Sequence, residues 1–349
     1  MRKLIFITQQ VDPGHPALAA TVPMIAALAA RVDDVVVLAD RTVAGTLPDN
    51  CRSLSFAART RTGRGARFQA ALVQELKPRP VAVVAHMCPI YAVLAAPIVR
   101  PLRVPLLLWY THWARTRTLE AAARAATAIV TVDRRSFPID SKKVVPIGHG
   151  IDLSEFPCAD RSDGAGDFRL VALGRYSRAK GLETILRGVA FANERGVDSR
   201  LEVFGPALNA AEREHRSELG RLISELGLEK RVRLDPAVLR SEVPQVLGRA
   251  RALVNNMEAG APDKVVYEAA ASCLPVLVSN PVFDDFTADL PAPLIFARDD
   301  PSALADRIAG LAALALEARA ELGRALHDRV AAGHSVEHWA DQILEVARR

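Results

Sequence analysis

The stretch Arg169-Leu170-Val171-Ala172-Leu173-Gly174-Arg175-Tyr176-Ser177-Arg178-Ala179-Lys180-Gly181-Leu182 holds a strand, a loop and a helix start in one line. Residues 169–173 form a short apolar run without polar alternation, which predicts a strand covered on both faces. From 182 to 195, Leu182, Ile185, Leu186, Val189 and Ala190 follow the i, i+3, i+4, i+7, i+8 spacing of one buried helical stripe. Between strand and helix lies a glycine-flanked loop with three cations, Arg175, Arg178 and Lys180. In an open α/β sheet, ligands sit beyond the carboxyl ends of the strands, where helix N-termini also point. Arg175 would offer a diphosphate a planar fork and Lys180 a point charge. Taken alone, the loop also reads as a solvated basic surface.

The same alternation extends in both directions. Apolar or β-branched runs recur at 3–8, 35–38, 81–86, 105–110, 128–131 and 144–147. They recur again at 169–173, 200–204, 232–234, 252–255, 275–279 and 294–296, with helical patterns between them. Strand–helix alternation twice over predicts two parallel-sheet α/β domains. The polar, glycine-bearing stretch 160–167 is the expected linker. It separates a domain over 1–155 from one over 160–334. The last helical pattern, 335–349, has Trp339, Ile343 and Leu344 on one face.

Two further segments carry chemistry. Gly260-Ala261-Pro262-Asp263-Lys264-Val265-Val266-Tyr267-Glu268 is a Gly/Pro loop opening a helix, with Glu268 one turn in. Amides at such a helix start suit a phosphate, and a carboxylate there suits neighbouring ribose hydroxyls. Asp263 and Glu268 also read more plainly, as complements to the dipole of a surface helix. Just ahead of the expected linker stands Val145-Pro146-Ile147-Gly148-His149-Gly150-Ile151-Asp152.

In this order and spacing the three segments resemble the retaining nucleotide-sugar glycosyltransferases of family four. The resemblance is strong over about 145–285 and looser before. It implies the GT-B fold, two Rossmann-like domains facing across a cleft, with the helix 335–349 crossing back to the first domain. It implies that Arg175 and Lys180 bind the donor diphosphate and share in catalysis, and that Glu268 holds the ribose. Gly14, in Asp12-Pro13-Gly14-His15-Pro16, is similar to the family's glycine loop. His112, in Trp109-Tyr110-Thr111-His112-Trp113, is similar to its active-site histidine; Trp113 beside it reads either as a core aromatic or as an acceptor contact. Many members carry a first glutamate eight positions before the second, where this chain has Gly260; Gly260, Asp263 and Lys264 match the Gly-x-x-Asp-Lys pattern of a subset. With the amides of Val265 and Val266, these complete the implied donor contacts.

The implied activity is metal-independent transfer, with retention, from a UDP- or GDP-sugar to a glycan, lipid-linked or small-molecule acceptor, with no permanently bound cofactor. A GT-B epimerase or a non-catalytic nucleotide-sugar-binding protein are the alternatives. The base would be read near 238–239, where no distinctive side chain stands.

Composition limits the rest. The net charge of +5 conceals an asymmetry: residues 1–150 hold 20 Lys/Arg against 9 Asp/Glu, and 151–349 hold 25 against 31. Four arginines fall within 59–67, read as a polar loop. Such an excess reads plainly as a solvated arginine-rich surface, and more sharply as a contact for anionic lipid headgroups at the inner membrane face or an anionic acceptor. No aromatic interleaving supports nucleic acid. No run reaches the ~18–20 apolar residues of a spanning helix, and 4–8 reads as a strand, not a leader, so a cytoplasmic protein is expected. Cys51, Cys88, Cys158 and Cys273 match no zinc or redox spacing and are read as reduced thiols. His334 and His338, read as i, i+4 on a helix, lack a third ligand, so no metal site is expected.

Overall fold

The computed structural model describes residues 2–15, 18–112, 114–159 and 166–349. The chain divides into two compact units, Met1–Asp152 with Gly333–Arg349, and Leu153–Ala332. Most of the expected linker, 160–165, and Trp113 lie outside the described residues.

In chain order the first unit runs β1 (Lys3–Ile7), β2 (Gln10–Val11), α1 (Thr21–Ala29), β3 (Asp34–Ala39), β4 (Arg41–Thr42), β5 (Cys51–Ser55), α2 (Arg61–Gln74), β6 (Ala82–His86), α3 (Pro89–Val99), β7 (Leu106–Trp109), α4 (Arg117–Ala125), β8 (Ala128–Thr131) and β9 (Val144–Pro146). Seven strands form one sheet in the order β5-β3-β1-β6-β7-β8-β9, and every pair is parallel. Every residue of β1, β6 and β7 is buried, as two-sided coverage by helices requires.

The second unit continues with β10 (Phe168–Leu173), α5 (Leu182–Glu194), β11 (Ser199–Phe204), α6 (Ala210–Glu225), β12 (Val232–Asp235), α7 (Val243–Arg249), β13 (Ala252–Asn255), α8 (Lys264–Ala271), β14 (Val276–Val278), α9 (Asp284–Thr287), α10 (Pro301–Ala313) and α11 (Leu316–Gly333). Its five strands pair in parallel in the order β12-β11-β10-β13-β14. The chain ends with α12 (Val336–Arg348), which belongs to the first unit.

The packing of α12 explains the glycines of the 145–152 segment. Ile151 N–H donates to the His334 carbonyl at 2.7 Å, and Val336 N–H donates to the Ile151 carbonyl at 2.8 Å. Gly148 has φ +77°, and a Cβ there would stand 1.9 Å from the Gly333 carbonyl oxygen, so only glycine lets the two segments cross. Trp339 is fully buried and meets Trp109 edge-on with ring centroids 5.7 Å apart. His334 precedes the N-cap Ser335 and is not on the helix, so the expected His334/His338 helical pair does not form.

Three sequence readings need correction. The arginine-rich segment taken as a polar loop opens α2: Thr60 caps it by accepting from Gly63 N–H at 3.1 Å, and Phe68 and Leu72 are buried beneath. Phe68 packs on Phe56 and Tyr91, and this tertiary contact outweighs the poor propensity of Gly63 and Gly65. The run 294–296 makes only an isolated bridge, Ile295 to Val278. The edge strand β5 was missed because its polar residues, only partly buried, carry no apolar run.

Candidate functional site

In the second sheet the chain passes from β10 outward to β11 and β12, then returns to β13 on the other side of β10. The strand order therefore reverses between β10 and β13, and the loops leaving their carboxyl ends flank a ligand crevice of the open α/β type. These are the loops that carry Arg175, Lys180, Gly260 and Asp263.

The first loop is shaped by a buried tyrosine. Tyr176 is fully buried, its hydroxyl near the Val203 and Asp235 carbonyls at 3.0 and 2.7 Å, which leaves Arg175 on the outer side of the turn. Arg175 is about half exposed and pairs with Glu212 on α6. Glu212 is buried; its other oxygen accepts the Leu208 N–H at 2.7 Å. Burial alone would raise the Glu212 pKa, but the Arg175 guanidinium and the Leu208 amide outweigh it and hold the carboxyl below its ordinary value. Lys180 folds back over Gly174, where a Cβ would come within 2.6 Å of Lys180 Cε; Gly174, at φ +144°, makes room for it. The ammonium pairs with Asp263, which also accepts from Asn255 Nδ2 at 2.9 Å.

Asp263 is the N-cap residue of α8 but makes no side-chain capping bond. Its carboxylate is turned to Lys180 and Asn255, so it does not compete for the first-turn amides around Lys264 and Val265. Further along α8, Glu268 is buried between two cations, with Lys264 Nζ at 3.2 Å and Arg240 Nη1 at 2.5 Å. Arg240 extends the chain of charges to Glu155, with Nη2 to Oε2 at 2.8 Å, and lies over the Phe156 ring at 4.8 Å. Burial works against the Glu268 charge, yet Lys264 and Arg240 more than offset it and the pKa is lowered. For Lys264 burial prevails over the pull of Glu268, and its pKa is also lowered.

The structure thus gathers Arg175, Lys180, Gly260, Asp263, Lys264, Val265, Val266 and Glu268 at one end of one sheet. No carboxylate occupies the Gly260 position. Glu258 is exposed and faces Arg298, with 3.5 Å between Nη1 and Oε1. Sequence reading missed Glu212, Asn255, Arg240 and Glu155. Arg240 directly follows 238–239, described above as lacking a distinctive side chain; the cation beside it was the available signal. Glu212 and Glu155 carried none, because their partners lie 37 and 85 residues away.

In the first unit, His112 follows β7 at the carboxyl end of its sheet. The side chain is exposed, and Nδ1 accepts from Ala114 N–H at 2.9 Å. Gly14 follows β2, and its N–H donates to Asp12 Oδ1 at 2.9 Å.

Among the described residues one His/Cys/Asp/Glu group has metal-ligand spacing, Cys158, Cys273 and His327. The two cysteines are joined in a disulfide, so the reading of four reduced thiols is corrected: 115 residues of sequence hide a Cα–Cα separation of 4.9 Å. The bonded sulfurs are not thiolate ligands.

Residues 167–313 match the family model described as glycosyl transferases group 1. No curated protein matches the chain. Among solved structures, Anabaena HepE in complex with UDP and glucose is 18% identical over 99% of both chains, with a TM-score of 0.74. Sucrose-phosphate synthase from Thermosynechococcus elongatus is 19% identical over 100% of this chain and 98% of that one, at 0.72. S. aureus TarM, in complex with fondaparinux, alpha-GlcNAc-glycerol and UDP, is 9% identical over 100% of both, at 0.72. Likenesses at these identities speak for the fold. The chain has the GT-B fold, and residues 167–313 of its second unit match the model described as glycosyl transferases group 1.

Proposed function

We propose that the protein is a retaining glycosyltransferase that moves a sugar from a UDP- or GDP-sugar to an acceptor, with the donor domain at 160–334 and the acceptor domain at 1–155 plus 335–349. One observation carries this reading. Within the segment that matches the family model, two cations from the β10 loop flank the reversal point of the sheet, and each is held by a carboxylate of another element, Arg175 by Glu212 and Lys180 by Asp263.

A departing nucleoside diphosphate develops negative charge on its leaving oxygen. Arg175, Lys180 and the amides near Val265 and Val266 would stabilise that charge without a metal. Because Arg175 is half exposed while bound to Glu212, its outward donors remain available to a phosphate. Glu268 would take the ribose hydroxyls in exchange for one of its present bonds to Lys264 or Arg240. Gly260, Asp263 and Lys264 would face the sugar end of the donor, and the Gly14 loop would lie under it. Acceptor attack would come on the leaving-group face, with the departing phosphate as base. His112 would orient the sugar and stabilise positive charge.

Thermal-shift and calorimetric titration with UDP, GDP and their sugars test the donor, since a ligand at 100 times Kd raises stability by about 2.7 kcal/mol. With the binding sugar and an acceptor panel, Arg175→Ala and Lys180→Ala should each lower turnover by ~10²-fold or more. His112→Ala should also lower it. NMR of the product should show the donor's anomeric configuration. Epimerised sugar would indicate the epimerase, and tight binding with neither product would indicate a protein that binds donors without turning them over, a reading that Gly260 in place of a glutamate keeps in view.

A further inference from the structure

The Cys158–Cys273 disulfide takes no part in the proposed reaction, yet it is placed to influence it. Both cysteines line a cavity of about 680 Å³. Arg251 and Pro275, also in its wall, immediately precede β13 and β14, so the cavity lies at the amino ends of these strands, opposite the Arg175 and Lys180 loops. Cys158 is exposed and Cys273 half-buried. The covering helix is α11: a Cβ on Gly323 would stand 2.2 Å from the Cys273 carbonyl oxygen, and His327 Nδ1 lies 3.7 Å from Cys158 Sγ.

Two segments connect this end of the unit to the other. Helix α8 begins at the site with Lys264 and Glu268 and ends two residues before Cys273, a span of about 12 Å at 1.5 Å per residue. The segment from Glu155 through Phe156 reaches Cys158, and Arg240 bonds both Glu155 and Glu268. The disulfide and Arg240 therefore join the same two segments, one at each end.

We propose that Cys158–Cys273 is a thiol–disulfide exchange site for a small thiol carrying carboxylate and ammonium groups, and that opening it loosens α8 and the Glu155–Arg240–Glu268 bridge. Arg251, Arg319 and Arg324 in the cavity wall suit the carboxylates, and Glu317 and Glu321 the ammonium. The incoming thiolate attacks the exposed Cys158 sulfur. The protein S–S bond breaks, a mixed disulfide forms on Cys158, and Cys273 leaves as a thiolate that takes a proton from water. A second thiolate attacks the small thiol's sulfur in that mixed disulfide. Cys158 is released as a thiolate, and the two small thiols depart as their own disulfide. The protein disulfide is reduced by two electrons and the two thiols are oxidised; the reverse sequence closes it again. The effect on donor binding rests on the function proposed above, whereas the exchange and the loosening of α8 do not.

The test uses the air-oxidised full chain, treated with reduced glutathione or with 2-mercaptoethanol at equal thiolate concentration. Intact mass with maleimide tagging should show one glutathione adduct, then two thiols in addition to Cys51 and Cys88, formed faster than with the neutral thiol. Arg324→Gln should slow glutathione and leave 2-mercaptoethanol unaffected. Hydrogen–deuterium exchange over 264–271 should rise on opening, as it should in Cys158→Ser, and UDP affinity should fall by about fivefold or more. Free thiols at Cys158 and Cys273 in the oxidised protein, a disulfide that resists both reagents, equal rates with both, or unchanged exchange over 264–271 each overturn the proposal. If neither redox form binds any nucleoside diphosphate, the donor reading falls instead, while tagging and deuterium exchange still decide the switch.

Discussion

At the scale of single residues, Arg175 and Lys180 were visible in the sequence, but the ion pairs that hold them, to Glu212 and Asp263, were not. Arg175 and Lys180 stand seven residues after the first residue of β10 and one before Gly181, a placement that strand–loop–helix reasoning locates directly. Glu212 comes from a different helix, and nothing local distinguishes it from the other glutamates of α6. Its burial under the Arg175 guanidinium gives it a role that can be measured. Glu212→Gln keeps the shape and the bond to Leu208 but removes the charge that orients Arg175. We expect donor KM to rise by roughly tenfold, a loss of about 1.4 kcal/mol, with a smaller change in kcat; steady-state kinetics separate the two. A second residue-scale prediction concerns His334, whose pKa burial lowers to about 4, with the His338 charge acting in the same direction. Its folded value lies below the unfolded 6.5, so between these limits the unfolded chain binds more protons and stability rises with pH. Stability should therefore fall as the pH drops from about 6.5 towards 4, by up to about 3 kcal/mol from this group. Denaturant titrations of wild type and His334→Gln across that range should differ in slope, the variant being the flatter.

At the scale of elements, apolar runs located strands well where both faces are covered and poorly where they are not. The fully buried β6, β7 and β13 stand within a residue or two of their expected limits, because two-sided burial forces a continuous apolar run. The edge strand β5 is stabilised by pairing with β3 and needs no such run. Helix α2 shows the converse: glycines marked it as a loop, but a Thr60 cap and a buried Phe68 made it a helix. The helix face of 335–349 was legible from its spacing, and the family resemblance implied a crossing back to the first domain; the contacts that hold it, at Gly148 and in the Trp109 pairing, carried no local signal. Trp339→Ala should cost about 3–5 kcal/mol in chemical unfolding, the usual loss for deleting a fully buried indole. A loss below 1 kcal/mol would mean that α12 packs too weakly to be part of the first unit's core.

At the scale of the whole molecule, the asymmetry of charge remains the main lead to the proposed acceptor. The first 150 residues carry 20 Lys/Arg against 9 Asp/Glu, and no helix among the described residues is long and apolar enough to cross a membrane. Within the arginine-rich segment, Arg64 is paired with Asp40 at 3.2 Å and Arg67 bonds the Ala57 carbonyl, whereas Arg59 and Arg61 are exposed. If the acceptor lies at an anionic surface, the protein should float with anionic liposomes, with each near-surface cation worth about 1 kcal/mol, and should be released by added salt. Absence of salt-sensitive flotation would direct the search to soluble acceptors. By itself the sequence determined the two α/β units, their parallel strands and the loops that hold the proposed donor cations, because hydrophobic period, apolar runs and strand-end glycines are local properties of the chain. Tertiary structure alone decided that Glu212, Asp263 and Arg240 hold the site's charged groups, that Cys158 meets Cys273, and that α12 is held by Gly148 and Trp109. Those pairings join residues far apart in sequence, and their energies arise only once burial has brought the partners together and removed the water between them.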